Sequence, residues 1–415
     1  MDEQTSGALK ERIISVTEKN LRENEDIVNK FSGVVRILLH DNLSPLTSGN
    51  RIALLMNGEE KFPEVIKAIE SARDHIHLEY FIYENDRIGN TIKDLLIRKA
   101  AEGVRVRLIY DDFGSRSIRR RLVKELKKGG VEAFPFNRIR LPFFANRVNY
   151  RNHRKIIIVD GTTGFTGGIN ISDRYINQDG QNNRYFWRDT HIRIDGPGII
   201  FLQNIFLCDW NFCSGQRIEP EKKHFNTARQ PGGNIHVQIA ASGPDSPNST
   251  IMLSILRAVS IARVEILITT PYFIPGGSII DSLKMALLGG VSVKLLVPGI
   301  SDSRIVNAAA RSYYGELLGS GAEIFIYRKG FVHSKTMVID GSFSAVGSAN
   351  MNHRSFNLDF EVNANIYSAE FAGRMRSMFY DDIADAEKID YAEWQNRPVY
   401  VRLAERTARL LSPLM

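Results

Sequence analysis

The sequence contains one polar motif twice, and this duplication constrains the fold more than any other feature. "HRKIIIVDG" begins at His153, and "HSKTMVIDG" begins at His333. An Asn follows each His at the same spacing, at Asn170 and Asn350. Matching Lys, Asp, Gly and Asn at fixed offsets from a His happens by chance on the order of once in 10⁵ at average composition. The sequence therefore predicts a domain-sized internal duplication.

The segments around the two motifs repeat one order of predicted elements. A helix leads into a strand in "VIKAIESARDHIHLEYFIY", from Val65, and again in "IMLSILRAVSIARVEILITTPYF", from Ile251. Two further helices and two strands then precede each motif, and this alternation predicts α/β layers. We expect three parts in the 415 residues: a helical, membrane-associated segment (1–50), a first domain (51–225), and a second domain with a C-terminal helical tail (226–415).

The composition is that of a globular protein with a basic surface. Hydrophobic residues make up 43% of the chain and charged residues 24%, and the formal net charge is +7. This excess favours an acidic partner, either nucleic acid or an anionic membrane surface. The N-terminus lacks the apolar core of a signal peptide, and no uncharged apolar run is long enough for a membrane span.

The two cysteines, Cys208 and Cys213, lie in the apolar, helix-like run "IIFLQNIFLCDWNFC". Two cysteines cannot form a disulfide framework, and a zinc site would need more ligands at metal-like spacing nearby. Both are therefore predicted to be core residues.

The duplicated residues suit phosphate chemistry. Strand periodicity places the His and the Lys of each motif on one face. Lys offers charge and three donors, Asn adds a neutral donor, and His can attack a phosphorus atom or exchange a proton near neutral pH. Two facing sets could perform phosphoryl-group chemistry with one His as nucleophile and the other as general acid, while the lysines neutralise charge. The candidate set comprises His153, Lys155, Asp160, Asn170, His333, Lys335, Asp340 and Asn350.

The aspartates of the motifs have a different expected role. Asp160 and Asp340 each precede a Gly in a turn-forming pair, and they have the opposite strand parity to their His. We interpret both as structural members of the motif.

Both motifs resemble the HxKxxxxD motifs of the phospholipase D superfamily. Together with "FWRDTHIRIDGPG", "PYFIP" and "VGSANMNHRSFNLDFEVN", they are similar to bacterial cardiolipin synthases of that type, from about residue 50 to the C-terminus. The resemblance implies two α/β/α sandwich halves related by a pseudo-two-fold axis, one shared cleft, and a covalent phosphohistidine intermediate. By position, His153 resembles the nucleophile, and His333 resembles the residue that protonates the leaving glycerol and activates the acceptor. The lysines and asparagines resemble phosphate-binding residues, and neither a metal nor another cofactor is implied.

A catalytic His needs its second ring nitrogen held. Two acids are candidates for this orienting role: Glu361, which follows the second motif in "FNLDFE", and Asp189, which follows the first motif in "FWRDT". The alternative for Asp189 is a salt bridge to a neighbouring arginine, Arg188 or Arg193.

The stretch "NRIRLPFFANRVNYRN", from Asn137, mixes arginines with aromatic residues just before the first motif. It is predicted to form an interfacial loop, with aromatic rings at the lipid boundary and arginines on anionic headgroups. The alternative is a solvated loop with its aromatics in the core. The residues concerned are Arg138, Arg140, Phe143, Phe144 and Arg147.

The resemblance implies a phosphatidyltransferase that joins two phosphatidylglycerol molecules into cardiolipin and releases glycerol. The implied partners are phosphatidylglycerol and an anionic membrane surface, with the chain acting peripherally at the inner (cytoplasmic) membrane of a bacterial cell. Many family members carry hydrophobic N-terminal spans that this sequence lacks, so a naturally peripheral protein and a removed leader both stay open. The oligomeric state and the acyl-chain preference are not determined by the sequence.

Two other functions compete with this prediction. A hydrolase of phospholipids or of nucleic-acid phosphodiesters would use the same residues, but no nucleic-acid binding module is recognisable and nucleic acid is not an expected partner. A catalytically dead membrane-binding module would be favoured by erosion of one motif, and both motifs are intact.

Overall fold

The computed structural model describes residues 3–23, 26–138, 149–177, 185–219, 221–225, 232–301 and 303–415. The strands are β1 Thr47–Met56, β2 His75–Tyr80, β3 Arg105–Asp111, β4 Glu132–Phe136, β5 Lys155–Val159, β6 Thr163–Gly167, β7 Phe186–Arg188, β8 Thr190–Asp195, β9 Ile235–Ser242, β10 Glu265–Thr269, β11 Ser292–Pro298, β12 Glu323–Tyr327, β13 Gly330–Val332, β14 Thr336–Ile339, β15 Phe343–Gly347, β16 Glu361–Tyr367 and β17 Ala386–Lys388. The helices are α1 Glu3–Glu23, α2 Asp26–Lys30, α3 Ser32–Asn42, α4 Asn57–Ser71, α5 Arg87–Ala101, α6 Arg121–Lys128, α7 Ile199–Ser214, α8 Thr250–Ser260, α9 Gly277–Leu288, α10 Arg304–Leu318, α11 His353–Asn357, α12 Ala369–Ala384, α13 Tyr391–Gln395 and α14 Val399–Arg409.

One sheet of 15 strands runs through both halves of the protein. Its order is β17, β12, β11, β10, β14, β15, β16, β9, β1, β8, β6, β5, β2, β3, β4. The two halves have the same strand order when they are counted outward from the centre. The first half has the order β1, β8, β6, β5, β2, β3, β4, and the corresponding strands of the second half are β9, β16, β15, β14, β10, β11, β12. The two central strands pair antiparallel, as a pseudo-two-fold axis between them requires. The predicted duplication is therefore confirmed as two copies of one fold.

Helices cover both faces of this sheet. α7 and α12 pack on one face, where a single apolar core joins the two halves. On the other face, α4, α5 and α6 cover the first half, while α8, α9 and α10 cover the second. Each half is thus an α/β/α sandwich, as predicted.

The N-terminal helices contribute to the second half. Val34, Val35 and Leu38 on α3 are fully buried in the same core as α8. The apolar face of α3 is therefore used inside the protein, and a membrane role for segment 1–50 stays a prediction. Among the described residues, no helix combines the length and apolar character that crossing a bilayer would require.

The prediction for the two cysteines is wrong for Cys208, whereas Cys213 packs against the apolar core on the face of the sheet that α7 covers. Cys208 is exposed and Cys213 is half-buried. α7 is apolar on nearly all sides, yet Asn204, Cys208 and Phe212 follow each other at four-residue spacing and are all exposed, so they form the outward face of the helix. Apolar composition alone did not reveal that face.

Candidate active site

The two histidines of the motifs stand at the junction of the halves. Periodicity predicts each His within a strand, but β5 and β14 begin only after His153 and His333. The backbone N–H of His153 donates to the carbonyl oxygen of Phe360 at 2.9 Å, and that of His333 donates to the carbonyl oxygen of Arg188 at 2.7 Å. Each His therefore lies before the strand of its motif, and its backbone N–H pairs with the backbone of the other half.

The two acids predicted to orient the imidazoles contact them from opposite halves. Glu361 Oε1 lies 3.2 Å from His153 Nδ1, and Asp189 Oδ2 lies 2.7 Å from His333 Nδ1. Both carboxylates are completely buried. In sequence order Glu361 follows His333 and Asp189 follows His153, so this crossed pairing is a result of the tertiary structure.

The alternative salt bridges of Asp189 are not formed. Arg188 donates through Nη1 to the backbone carbonyl of Asp189 at 2.7 Å, and its Nε donates to Asp382 at 2.6 Å. Arg193 instead pairs with two other acids, Glu64 and Asp195. The Asp189 carboxylate therefore pairs with neither arginine, and its Oδ2 contacts the imidazole.

Hydrogen bonds hold Glu361 in its ionised form. The hydroxyl of Ser355 donates to Oε1 at 2.7 Å, and the hydroxyl of Ser348 donates to Oε2. Burial opposes ionisation, but the contact with His153, the charge of Lys155 and the hydrogen bond from Ser348 outweigh it and lower the pKa of Glu361.

Asp189 is held differently at the matching position. Its Oδ1 accepts from the backbone N–H of Thr190 at 2.7 Å. Ser348 has its counterpart in Gly168, since each follows the His of its motif at the same spacing. A Cβ on Gly168 would come within 2.1 Å of Asp189 Oδ1. Asp189 therefore packs directly on Gly168, whereas Glu361 accepts a hydrogen bond from the hydroxyl of Ser348 at the equivalent position.

The lysine of each motif is buried and contacts the backbone of its own His. Lys155 is 1% exposed and Lys335 is 4% exposed. Lys155 Nζ donates to the carbonyl oxygen of His153 at 2.6 Å, and Lys335 Nζ makes the same contact with His333. Burial lowers the pKa of Lys155, against the opposing charges of the two buried acids. The arrangement places two desolvated cations beside the imidazoles.

Both asparagines are oriented by the elements that follow them. Asn170 Nδ2 donates to the hydroxyl of Tyr175 at 2.8 Å, and its Oδ1 accepts from the backbone N–H of Ile82 at 3.1 Å. Asn350 Nδ2 donates to the hydroxyl of Ser355 at 3.3 Å. Each amide group retains a second N–H, which a bound phosphate could use.

The carboxylates of Asp160 and Asp340 cap turns away from the imidazoles. Asp160 accepts from three consecutive backbone N–H groups, residues 73–75, at 2.8 to 2.9 Å. Asp340 does the same for residues 263–265 at 2.8 to 3.0 Å. Both residues have left-handed φ angles, 52° and 48°. This geometry favours the structural interpretation of both.

His333 lies in a largely buried, partly aromatic environment, with 15% of its side chain exposed. The rings of Trp187, Phe331 and Tyr175 have centroids 5.7, 5.8 and 6.0 Å from its own. Burial and the charge of Lys335 lower its pKa to about 4, although the Asp189 carboxylate acts in the opposite direction. The unliganded imidazole is therefore neutral at neutral pH.

Comparison with known proteins agrees with this geometry. A family model described as "Cardiolipin synthase, PLD-like domain" matches twice, at residues 65–191 and 255–383. The major cardiolipin synthase ClsA of Bacillus subtilis (strain 168) is 39% identical over 408 residues, 98% of this chain and 84% of that protein. The cardiolipin synthase of Geobacillus thermodenitrificans (strain NG80-2) is 43% identical over 371 residues, 89% of this chain and 74% of that protein.

The chain belongs to the cardiolipin synthase family of phospholipase D-like enzymes. A solved structure, the phosphatidylserine synthase of Haemophilus influenzae Rd KW20, superposes with a TM-score of 0.70 over 92% of this chain and 100% of that one. At 16% sequence identity this likeness concerns the fold alone.

The proposed interfacial loop is described only at its edges. Arg138 is exposed, whereas Arg140, Phe143, Phe144 and Arg147 lie outside the described residues. Near the C-terminal end of the loop, the carbonyl oxygen of Asn149 accepts from Arg354 Nη2 at 2.7 Å. One end of the loop is thereby tied to α11, and its role stays a prediction.

One buried lysine at the site was not predicted. Lys61 on α4 is fully buried, and its Nζ donates to the carbonyl oxygens of Ile169 and Asn170 at 3.0 and 3.2 Å. Burial lowers its pKa well below the usual value. It supports the backbone that carries Asn170. A lysine in an amphipathic helix normally lies in solvent, so the sequence carried no signal for this contact.

One group of described side chains in this cardiolipin synthase-family site has atoms close enough to hold a metal ion: His153, Asp359 and Glu361, within 4.8 Å of one another. Arg354 Nε already lies 3.1 Å from Asp359 Oδ2. Burial raises the pKa of Asp359 to about 6, against the charges of His153 and Arg354. An arginine thus already pairs with one of these acids, and a metal-free site stays the prediction.

Proposed function

We propose that this protein is a cardiolipin synthase that moves a phosphatidyl group from one phosphatidylglycerol to the terminal hydroxyl of another and releases glycerol. The observation that carries the proposal is the crossed pair of imidazole–carboxylate contacts, each with a buried lysine beside it. This supplies two nucleophile or acid–base groups and two cations around one phosphate position. Relatives named cardiolipin synthase over nearly the whole chain support the choice of substrate.

The first step forms a phosphohistidine. Because Glu361 holds Nδ1 of His153, Nε2 is the nitrogen left to attack phosphorus. The new P–N bond forms as the bond from phosphorus to the glycerol oxygen breaks, and His333 gives its proton to that oxygen. In the second step His333 takes the proton of the acceptor hydroxyl. The new P–O bond forms, and the P–N bond breaks.

Binding of a phosphodiester should raise the pKa of His333, which acts as the general acid. The unliganded His333 has its pKa lowered to about 4 by burial and by Lys335. An anion between the lysines offsets the Lys335 charge and raises this pKa, so the imidazole becomes protonated when substrate is present. The proton is then available for the leaving glycerol.

The test is to incubate the purified protein with phosphatidylglycerol vesicles, without nucleotide and in EDTA, and to identify lipid products by mass. We expect cardiolipin and free glycerol, with phosphatidic acid as a minor product, because a second lipid headgroup held beside the phosphohistidine reacts in preference to water. A His153→Asn variant is the inactive control.

Two results would contradict the proposal. Phosphatidic acid as the main product at saturating phosphatidylglycerol would make the protein a phospholipase. Turnover that is lost in EDTA and restored by a divalent ion would contradict the metal-free mechanism.

We also place this activity at the inner (cytoplasmic) membrane of a bacterial cell, with the described chain acting peripherally. The net charge of +7 supports this location, because anionic phosphatidylglycerol attracts a basic protein.

A further inference from the structure

Helix α14 buries a charged residue and exposes most of its large apolar residues. Its buried residue is Glu405, 5% exposed, which pairs with Arg311 Nε at 2.9 Å and Arg397 Nη1 at 2.7 Å. The large apolar side chains are exposed, from this helix to the end of the chain: Val399 70%, Tyr400 74%, Leu403 64%, Leu410 78%, Leu411 43% and Leu414 65%. A helix that faces water has the opposite arrangement.

The exposed apolar residues form a stripe with a basic flank. At about 100° per residue, Val399, Leu403 and Leu410 fall within about 40° of one another around the helix axis. Arg402 and Arg406 are exposed and lie along one side of this stripe. An apolar stripe with arginines beside it is typical of a helix that lies in a membrane interface.

The stripe leads to the active site. After α14 the chain packs against α11, and the carbonyl oxygen of Met415 accepts from the backbone N–H of Arg354 at 2.7 Å. The same arginine contacts Asp359 at 3.1 Å and the carbonyl oxygen of Asn149 at 2.7 Å. Asn149 shortly precedes His153 in the chain, so a surface that holds the C-terminal residues also adjoins the segment carrying this His.

We propose that the outward stripe of α14 and the C-terminal residues after it dock on an anionic lipid bilayer and bring the site to its substrate. The inference rests on the proposed function in taking the bilayer as the place of the substrate. The basic flank matches anionic headgroups, and the aliphatic side chains and Tyr400 match the acyl boundary. A second copy of the chain fits less well, because a two-fold contact through this face would bring Arg402 and Arg406 towards their own copies.

The experiment measures vesicle binding with turnover removed. Every protein carries His153→Asn, so that phosphatidylglycerol is not consumed. The test variant adds Leu403→Gln and Leu410→Gln. The matched control adds Val264→Gln, since Val264 is 67% exposed and lies at the turn capped by Asp340, at the other end of β14 from His333. Unchanged unfolding midpoints verify that each variant is folded.

The expected result is a loss of about tenfold or more in partitioning onto phosphatidylglycerol vesicles for the test variant, since two exposed leucines no longer enter the interface. The control should bind like the parent. A further variant, Arg402→Gln with Arg406→Gln, should lose the preference for phosphatidylglycerol over phosphatidylcholine vesicles and much of the salt dependence.

Equal binding of the test and control variants would overturn the proposal. So would a parent that self-associates through this face, with a monomeric test variant that still binds vesicles. Failure of the proposed function is a separate result: if the native chain makes no cardiolipin but the leucine variant still loses vesicle binding, the docking surface stands.

Discussion

At the scale of single residues, the site depends on two carboxylates that each serve the His of the other half. Glu361 holds His153, and Asp189 holds His333. An acid at Nδ1 sets which ring nitrogen faces the substrate and stabilises the imidazolium that forms. The two acids should therefore affect the two steps of the reaction to different extents, because His153 makes the attack of the first step whereas His333 acts in both.

We predict that Glu361→Gln slows formation of the phosphoenzyme, while Asp189→Asn slows its resolution and lets it accumulate. The expected loss in turnover is on the order of 10²- to 10⁴-fold for each, as for acids that hold a catalytic imidazole elsewhere. Rapid quenching with labelled phosphatidylglycerol measures both steps, and His153→Asn should give no phosphoenzyme. Accumulation in Glu361→Gln and not in Asp189→Asn would reverse the roles of the two histidines.

At the scale of secondary structure elements, the turns after β5 and β14 are built by aspartates. Asp160 combines a left-handed φ of 52° with three accepted backbone hydrogen bonds. Asp and Asn adopt this conformation more readily than other residues with a Cβ. The carboxylate thus joins the β5–β6 turn to the segment between α4 and β2.

Replacing this aspartate should reduce stability and leave the chemistry intact. We expect Asp160→Ala to lower the free energy of unfolding by about 3 kcal/mol, because three backbone donors lose their acceptor. Asp160→Asn should lose less, since it keeps one acceptor oxygen and tolerates the turn. Urea unfolding measures the change, and turnover per folded molecule should match the wild type. Lost turnover at unchanged stability would place Asp160 in the reaction.

At the scale of the whole molecule, the halves are not independent units. They share one sheet and one apolar core, and a buried ion pair crosses between them. Arg188, next to the orienting Asp189, donates to Asp382 on α12 at 2.6 Å, and the two side chains of this pair are 5% and 11% exposed. The position of one half of the site thereby depends on the packing of a helix from the other.

We predict that Arg188→Ala lowers the free energy of unfolding by about 3–5 kcal/mol, because Asp382 stays buried without its partner. Burial already raises the pKa of Asp382 against the charge of Arg188. Without the arginine this pKa rises further in the folded state. The loss of stability caused by the substitution should therefore grow as pH rises from the folded pKa of Asp382 in the wild type towards its higher folded pKa in the variant, and then level off. Urea unfolding across this pH range measures both effects.

Two variants serve as controls. Arg188→Met with Asp382→Leu should be closer to the wild type, because no buried charge is left unpaired. Arg328→Ala breaks an exposed pair with Glu387 and should cost less than about 1 kcal/mol. If Arg188→Ala cost no more than Arg328→Ala, the buried pair would not join the halves.

The sequence by itself determined the family, the duplication and the residue types of the site. These features are local: a His, a Lys and an Asn at fixed spacing, and helix and strand periods that repeat in each half. The order of elements found in the structure follows the predicted order through β4 and through β12. The turn positions of Asp160 and Asp340 also follow from strand parity and turn chemistry.

Only the tertiary structure decided the contacts between distant segments. Glu361 reaches His153, and not the His that precedes it, because the pseudo-two-fold axis sets the segment before each acid beside the segment before the opposite His. The exposed face of α14 and the exposed Cys208 likewise depend on which side of each helix finds a neighbour. Periodicity reports how a segment repeats along its own axis, whereas burial and pairing depend on what the rest of the chain places next to it.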